Sequence, residues 1–212
     1  AAVAAKPYDG GKVTGAAGKA GKSITLVYVP KLIGIGYFNA TTKGMQEAAK
    51  ELANVKVNTD GPTEAKIDEQ IKFIDNTVTR GVDGVLFAAN DPVAIAPVLK
   101  KALSKGIHVV GYDANAQPDA REWLVNQAEF NGIAKAMVDS MAKEIGDDGS
   151  FAIVTSTFTT PNQARWISEM QAYQAKCHPN MKWLETVEAQ EDNILSFNQS
   201  NRRNSRSSPA SS

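Results

Sequence analysis

GVDGVLFAANDPVAIAPVLKKALSKGIHVVGYD, Gly81 to Asp113, carries two short apolar runs on either side of a helical stretch. DGVLFAAND reads as a strand, and Pro92 to Lys105 reads as a helix that stops at Gly106. IHVVGYD is the next strand. A strand–helix–strand order of this length predicts parallel pairing through a crossover helix.

The same pattern extends in both directions. Upstream, ITLVYVP (Ile24 to Pro30) is a strand, residues 39–53 a helix, and VKVNTD (Val55 to Asp60) a second strand closed by GPTE. Ala65 to Arg80 is a helix with Ile67, Ile71, Ile74 and Val78 at helical spacing, and Gly81 is its expected C-cap. Downstream, EWLVNQ (Glu122 to Gln127) is a short fifth strand. Gly132 to Ile145, FAIVTSTF (Phe151 to Phe158), Gln163 to Lys176 and Trp183 to Ala189 then begin a second α/β unit in the order helix, strand, helix, strand. The fold class is therefore α/β with a doubly wound parallel sheet. The expected divisions are a flexible leader over 1–22, a complete or nearly complete first lobe over 23–127, a partial second lobe over 128–197 and a disordered tail over 198–212.

The two ends differ from the middle in composition. Ala and Gly fill 12 of the first 22 positions, without apolar periodicity. The opening AAVAAKPYDGG fits the mature end left by a removed export signal. Residues 198–212, NQSNRRNSRSSPASS, contain six Ser, three Arg and three Asn and no large apolar residue, which is too little to offset the entropy of ordering.

Lys plus Arg equals Asp plus Glu, at 23 each, so the basic excess of a nucleic-acid binder is missing. Cys177 is the single cysteine and is expected to be a partly buried, inert thiol. Gly34-Ile35-Gly36 starts a dinucleotide fingerprint, but its third glycine would fall at Asn39. No Walker, HExxH, CxxC or GxSxG motif occurs, and neither His108 nor His178 stands in a metal or triad pattern. No enzyme activity, metal or cofactor is expected.

In a doubly wound sheet, ligands sit beyond the C-terminal strand ends, near the point where strand order reverses. The residues that follow the strands are Lys31 with Tyr37 and Phe38, then Asn90, Asp113, Asn126 and Gln127, and in the second unit Asn162 and Gln163 ahead of Trp166. Such side chains suit a polyol, whose hydroxyls donate and accept, while an aromatic ring covers its C–H face. Each residue also has a plain alternative. Lys31 could be a solvated lysine, Tyr37 and Phe38 core, Asn90 and Asp113 turn formers, and Asn162 a helix N-cap.

VPKLIGIGYFNATTKGMQEAAKEL, DGPTEA, GVDGVLFAANDP, KGIHVVGYDANAQPDAREWLVNQ and TTPNQARW, spread from Ile24 to about Asp192, resemble the substrate-binding proteins of bacterial sugar ABC transporters. Within that family the likeness is greatest to rhamnose-binding and autoinducer-2-binding members. The resemblance implies the type I periplasmic binding protein fold, with two lobes closing on one monosaccharide or autoinducer-2-like ligand. It implies an extracytoplasmic, monomeric protein without nucleic-acid partner, delivering its ligand to a membrane permease. Lys31, Asp113, Asn162 and Gln163 match ligand-contacting positions, and Tyr37 and Phe38 match the pocket's aromatic pair. Asn162 stands where an acidic residue or an amide is found, which disfavours autoinducer-2 and suits a deoxyhexose. The likeness stops near Phe197, where relatives continue for roughly another hundred residues, so a truncated or frameshifted product is expected. A repressor's effector domain is the alternative, although residues 1–22 lack a DNA-binding headpiece.

Overall fold

The computed structural model describes residues 21–207, with side chains through Arg202. The expected leader lies, up to residue 20, outside the described residues, as do residues 208–212. The chain divides into two compact units between Gln127 and Ala128.

The first unit is a five-stranded, all-parallel sheet in the order β2-β1-β3-β4-β5. Its strands are β1 (Ile24–Val29), β2 (Val55–Thr59), β3 (Gly84–Phe87), β4 (His108–Tyr112) and β5 (Trp123–Val125). The helices between them are α1 (Gly36–Leu52), α2 (Ile67–Arg80) and α3 (Ala96–Ser104), with one 3-10 turn at Pro118–Ala120. Alternate residues of one strand face opposite ways, and the core divides accordingly. Val27, Val29, Val85, Phe87 and Val109 pack with Ile74 and Val78 of α2 and Leu99 of α3. Tyr28 and Leu86, the residues between them, pack instead with Phe38 and Met45 of α1. Both sheet faces are covered, which explains the apolar run of β1.

Helix ends follow local chemistry. Gly81 closes α2 at φ 72°, a left-handed conformation in which a side chain would be strained, and its N–H donates to the Val78 carbonyl. Helix α3 starts later than the expected Pro92. Asp91 Oδ1 accepts from the N–H groups of Val93 (2.8 Å) and Ala94 (2.9 Å), which holds residues 92–95 in a turn before the helix.

The second unit contains α4 (Phe130–Ile145), β6 (Ser150–Thr155), α5 (Pro161–Cys177), β7 (Lys182–Glu188) and α6 (Asn193–Ser207). Strands β6 and β7 form a two-stranded parallel sheet. Its core is Ala134 and Val138 of α4 and Met170 of α5, with Ile153 and Trp183 against them. Leu184, Ile194 and Phe197 are exposed. Helix α6 corrects the expectation of a structureless tail over 198–207, because the helical backbone begun at Asn193 runs on through Ser207. Cys177 is exposed and not partly buried.

Among the described residues, no helix is long and apolar enough to cross a membrane, and no group of three His, Cys, Asp or Glu side chains could hold a metal ion.

Candidate ligand site at the strand ends

The order β2-β1-β3 places the reversal of the sheet between β1 and β3. Lys31 follows β1 and Asn90 follows β3. Asn90 Nδ2 donates to the Lys31 carbonyl at 2.9 Å, tying the two strand ends together. Gln70, buried on α2, completes the tie. Its Nε2 donates to the carbonyls of Pro30 (2.9 Å) and Ala88 (2.7 Å), and its Oε1 accepts from the Asn90 N–H at 3.0 Å.

Lys31 does not extend into water. Its side chain is 2% exposed and its Nζ lies 3.2 Å from Asp113 Oδ2, whose residue is 4% exposed. The solvated reading of Lys31 is therefore overturned. A buried ion pair costs several kcal/mol of desolvation per ion, and in stability alone apolar residues serve as well. The pair stands at the strand ends, where ligands of doubly wound sheets bind.

Asp113 is the centre of the cluster. It follows β4 with φ 60°, one of four non-glycine residues at positive φ among those described. Asp tolerates this conformation better than most residues, and strained backbone concentrates at binding sites. Its Oδ1 accepts from Tyr37 Oη (3.2 Å) and from Gln127 Nε2 (2.7 Å). Tyr112 Oη donates to Tyr37 Oη at 2.7 Å, and the two rings are stacked 6.3 Å apart. Burial, then the bond with Tyr112 and the charge of Asp113, raise the pKa of Tyr37 well above the usual tyrosine range. Tyr37 thus remains a donor to Asp113 at any physiological pH. Burial likewise raises Tyr112.

Phe38 is not a second face beside Tyr37. It is 2% exposed, edge-on to the Tyr37 ring at 5.2 Å, and belongs to the core with Tyr28 and Leu32. Tyr37, 45% exposed, carries the open ring. Asn90 is buried and holds backbone.

In the second unit, Asn162 and Gln163 open α5, behind Thr160 at the N-cap position and Pro161 at the helix start. Asn162 is therefore not the cap. It is buried, and its Oδ1 accepts from the Gln163 N–H at 3.0 Å. Gln163 Oε1 accepts from Thr155 Oγ1 (2.6 Å) and the Ser156 N–H (2.7 Å), which fixes the side chain over the end of β6. Thr155, Ser156 and Thr160 are buried here, and Thr160 Oγ1 pairs with Thr157 Oγ1 at 2.9 Å.

Sequence reasoning named Lys31, Tyr37, Asp113 and Gln127, which the structure brings together, but did not find Gln70 or the hydroxyls of Tyr112, Thr155 and Ser156. Gln70 had a signal, since it stands three residues after Ile67 and four before Ile74, inside the apolar stripe of α2.

The family model described as a periplasmic binding protein domain matches residues 26–201. The chain belongs to this family of periplasmic binding protein domains. Within the family, a D-ribose/D-allose-binding protein of Pseudomonas aeruginosa is 29% identical over 104 residues, which are 47% of this chain and 33% of that relative. An ABC transporter solute-binding protein of Clostridium phytofermentans, solved with bound L-rhamnose, is 27% identical with a TM-score of 0.83, over 88% of this chain and 58% of its own. LsrB of Clostridium saccharobutylicum, solved with AI-2, shares the fold at 21% identity and a TM-score of 0.79, over 86% of this chain and 59% of its own. The chain thus spans a third of the curated relative's length and less than two thirds of these solved relatives'. The α/β class and the parallel, doubly wound sheet expected from the sequence are those of the fold.

Proposed function

We propose that this periplasmic binding protein domain is the solute-recognising part of an ABC-type sugar importer, non-enzymatic and extracytoplasmic, and that its ligand is a monosaccharide handed to a membrane permease. The observation that carries the reading is the buried Lys31–Asp113 pair, with Tyr37 and Gln127 converging on the same carboxylate at the sheet reversal. A carboxylate accepts from sugar hydroxyls, and an ammonium donates to them, in strong charge-assisted bonds. The open ring of Tyr37 covers a C–H face. Asn90 and Phe38 hold the contacting residues of the first unit in place, and in the second unit Asn162 and Gln163 present amides of the same hydroxyl-binding chemistry at the end of β6. The relatives solved or named with ribose, allose and rhamnose support a neutral sugar.

The test is a thermal-shift panel of L-rhamnose, D-ribose, D-allose, D-arabinose and AI-2, because a ligand that binds only the folded state raises its melting temperature. At least one neutral sugar is expected to raise it in a dose-dependent manner. A flat response to the whole panel, confirmed by calorimetry, rejects the function.

A further inference from the structure

Among the described residues, one buried side-chain polar atom makes no hydrogen bond: the indole Nε1 of Trp166. Buried donors are almost always satisfied, and one left alone in a native structure has a reason. Trp166 lies on α5, three residues after Gln163 and four after Asn162, so the three side chains share a helix face. Gln163 Oε1 is already used by Thr155 and Ser156. The other end of that amide, Nε2, makes no bond among the described residues. An indole nitrogen and an amide nitrogen can only donate. This face of α5 therefore offers two hydrogen-bond donors side by side and asks for an acceptor oxygen.

We propose that Trp166 is a ligand-contacting residue whose Nε1–H donates to an oxygen of the bound sugar, next to the donor supplied by Gln163 Nε2. The inference rests on the sugar-binding reading and deepens it. The α5 face takes a ring or hydroxyl oxygen of the sugar as acceptor. A sugar lacking oxygen at that position leaves both donors unpaired, which is how a polar site rejects a deoxy analogue more strongly than an apolar site rejects a missing methylene.

Trp166→Phe keeps an aromatic ring and removes the N–H. Calorimetry on the full chain, with the best sugar of L-rhamnose, D-ribose and D-arabinose, is expected to show affinity reduced about tenfold. The melting temperature of the sugar-free variant is expected to stay at the wild-type value. Unchanged affinity overturns the proposal, and so does a lowered sugar-free melting temperature with unchanged affinity, which marks a structural role. A wild-type chain that binds none of the three sugars rejects the sugar-binding reading together with this one. A Trp123→Phe/Trp183→Phe chain leaves Trp166 as the only tryptophan. Its emission is expected to shift on sugar titration with the calorimetric dissociation constant, and an unmoved spectrum at saturation overturns the proposal even where Trp166→Phe does not fold.

Discussion

The two units solve the same packing problem to different extents. In the first, five parallel strands are covered on both faces, and the core is deep enough to bury Lys31, Gln70 and Asp113 together. In the second, two strands carry a small core, and apolar side chains such as Leu184 and Phe197 stand in water. A parallel sheet is normally covered on both sides, so the first unit has stability to spare for polar groups at its strand ends and the second has little. Among the described residues, the buried polar ones of the second unit are accordingly small hydroxyls and an amide: Thr155, Ser156, Thr160 and Asn162.

The largest effect is expected where the first unit carries its charges. Asp113→Ala removes the carboxylate facing Lys31 and should destabilise that unit by about 3–5 kcal/mol in denaturant unfolding. Lys31→Met with Asp113→Asn should recover most of this loss without restoring sugar binding, which separates the pair's role in recognition from its role in folding. Equal stability of Asp113→Ala and the parent would show that the pair is solvated, and would erase the contrast between the units.

A smaller loss is expected at Gln70→Leu. It deprives the carbonyls of Pro30 and Ala88 of a donor and the Asn90 N–H of an acceptor, inside an otherwise intact core. About 2–3 kcal/mol is expected from leaving buried groups unpaired, with hydrogen exchange of the Asn90 amide accelerated. An unchanged amide would mean that the strand ends are held by other contacts.

The smallest effect belongs to the second unit and depends on pH. His178 Nδ1 lies 2.6 Å from Asp147 Oδ1, and its Nε2 lies 3.1 Å from Asp139 Oδ1. Tyr173 and Lys135 also bond Asp139. The bond with Asp147, then that with Asp139, raise the His178 pKa above 6.5. Asp139 is lowered to about 2 by Lys135, Tyr173 and His178. A histidine with a raised folded-state pKa contributes its full stabilisation below its unfolded value of 6.5 and loses it as pH rises through the folded value. The second unit should therefore unfold more easily at about pH 8.5 than at about pH 6, followed by Trp183 emission. His178→Gln should flatten that slope, and an equal slope in the variant would remove the histidine from the account.

Much of this was legible in the sequence, for physical reasons that differ by region. Strand–helix alternation and the glycines at 81 and 106 report backbone geometry directly, so the elements of the first unit followed from pattern. Lys31 and Asp113 were found because strand-end position is a topological fact. Their burial was not legible, since it depends on side chains that approach from α1 and the end of β5. Phe38 and Tyr37 are adjacent on α1, and helical rotation sends one into the core and leaves the other open. The helical backbone of 198–207 was hidden by a composition that carries no apolar stripe.

The left-handed backbone at Asp113 has a consequence for variation at that position. Conformation sorts the possible replacements before chemistry does. Glycine, asparagine and aspartate enter that region at low cost, while β-branched and bulky residues do not. In a saturation library at position 113, chains that fold should be enriched in those three side chains, and chains that also recognise a sugar should narrow to aspartate. The width of the first set measures the backbone, and the difference between the two sets measures the ligand.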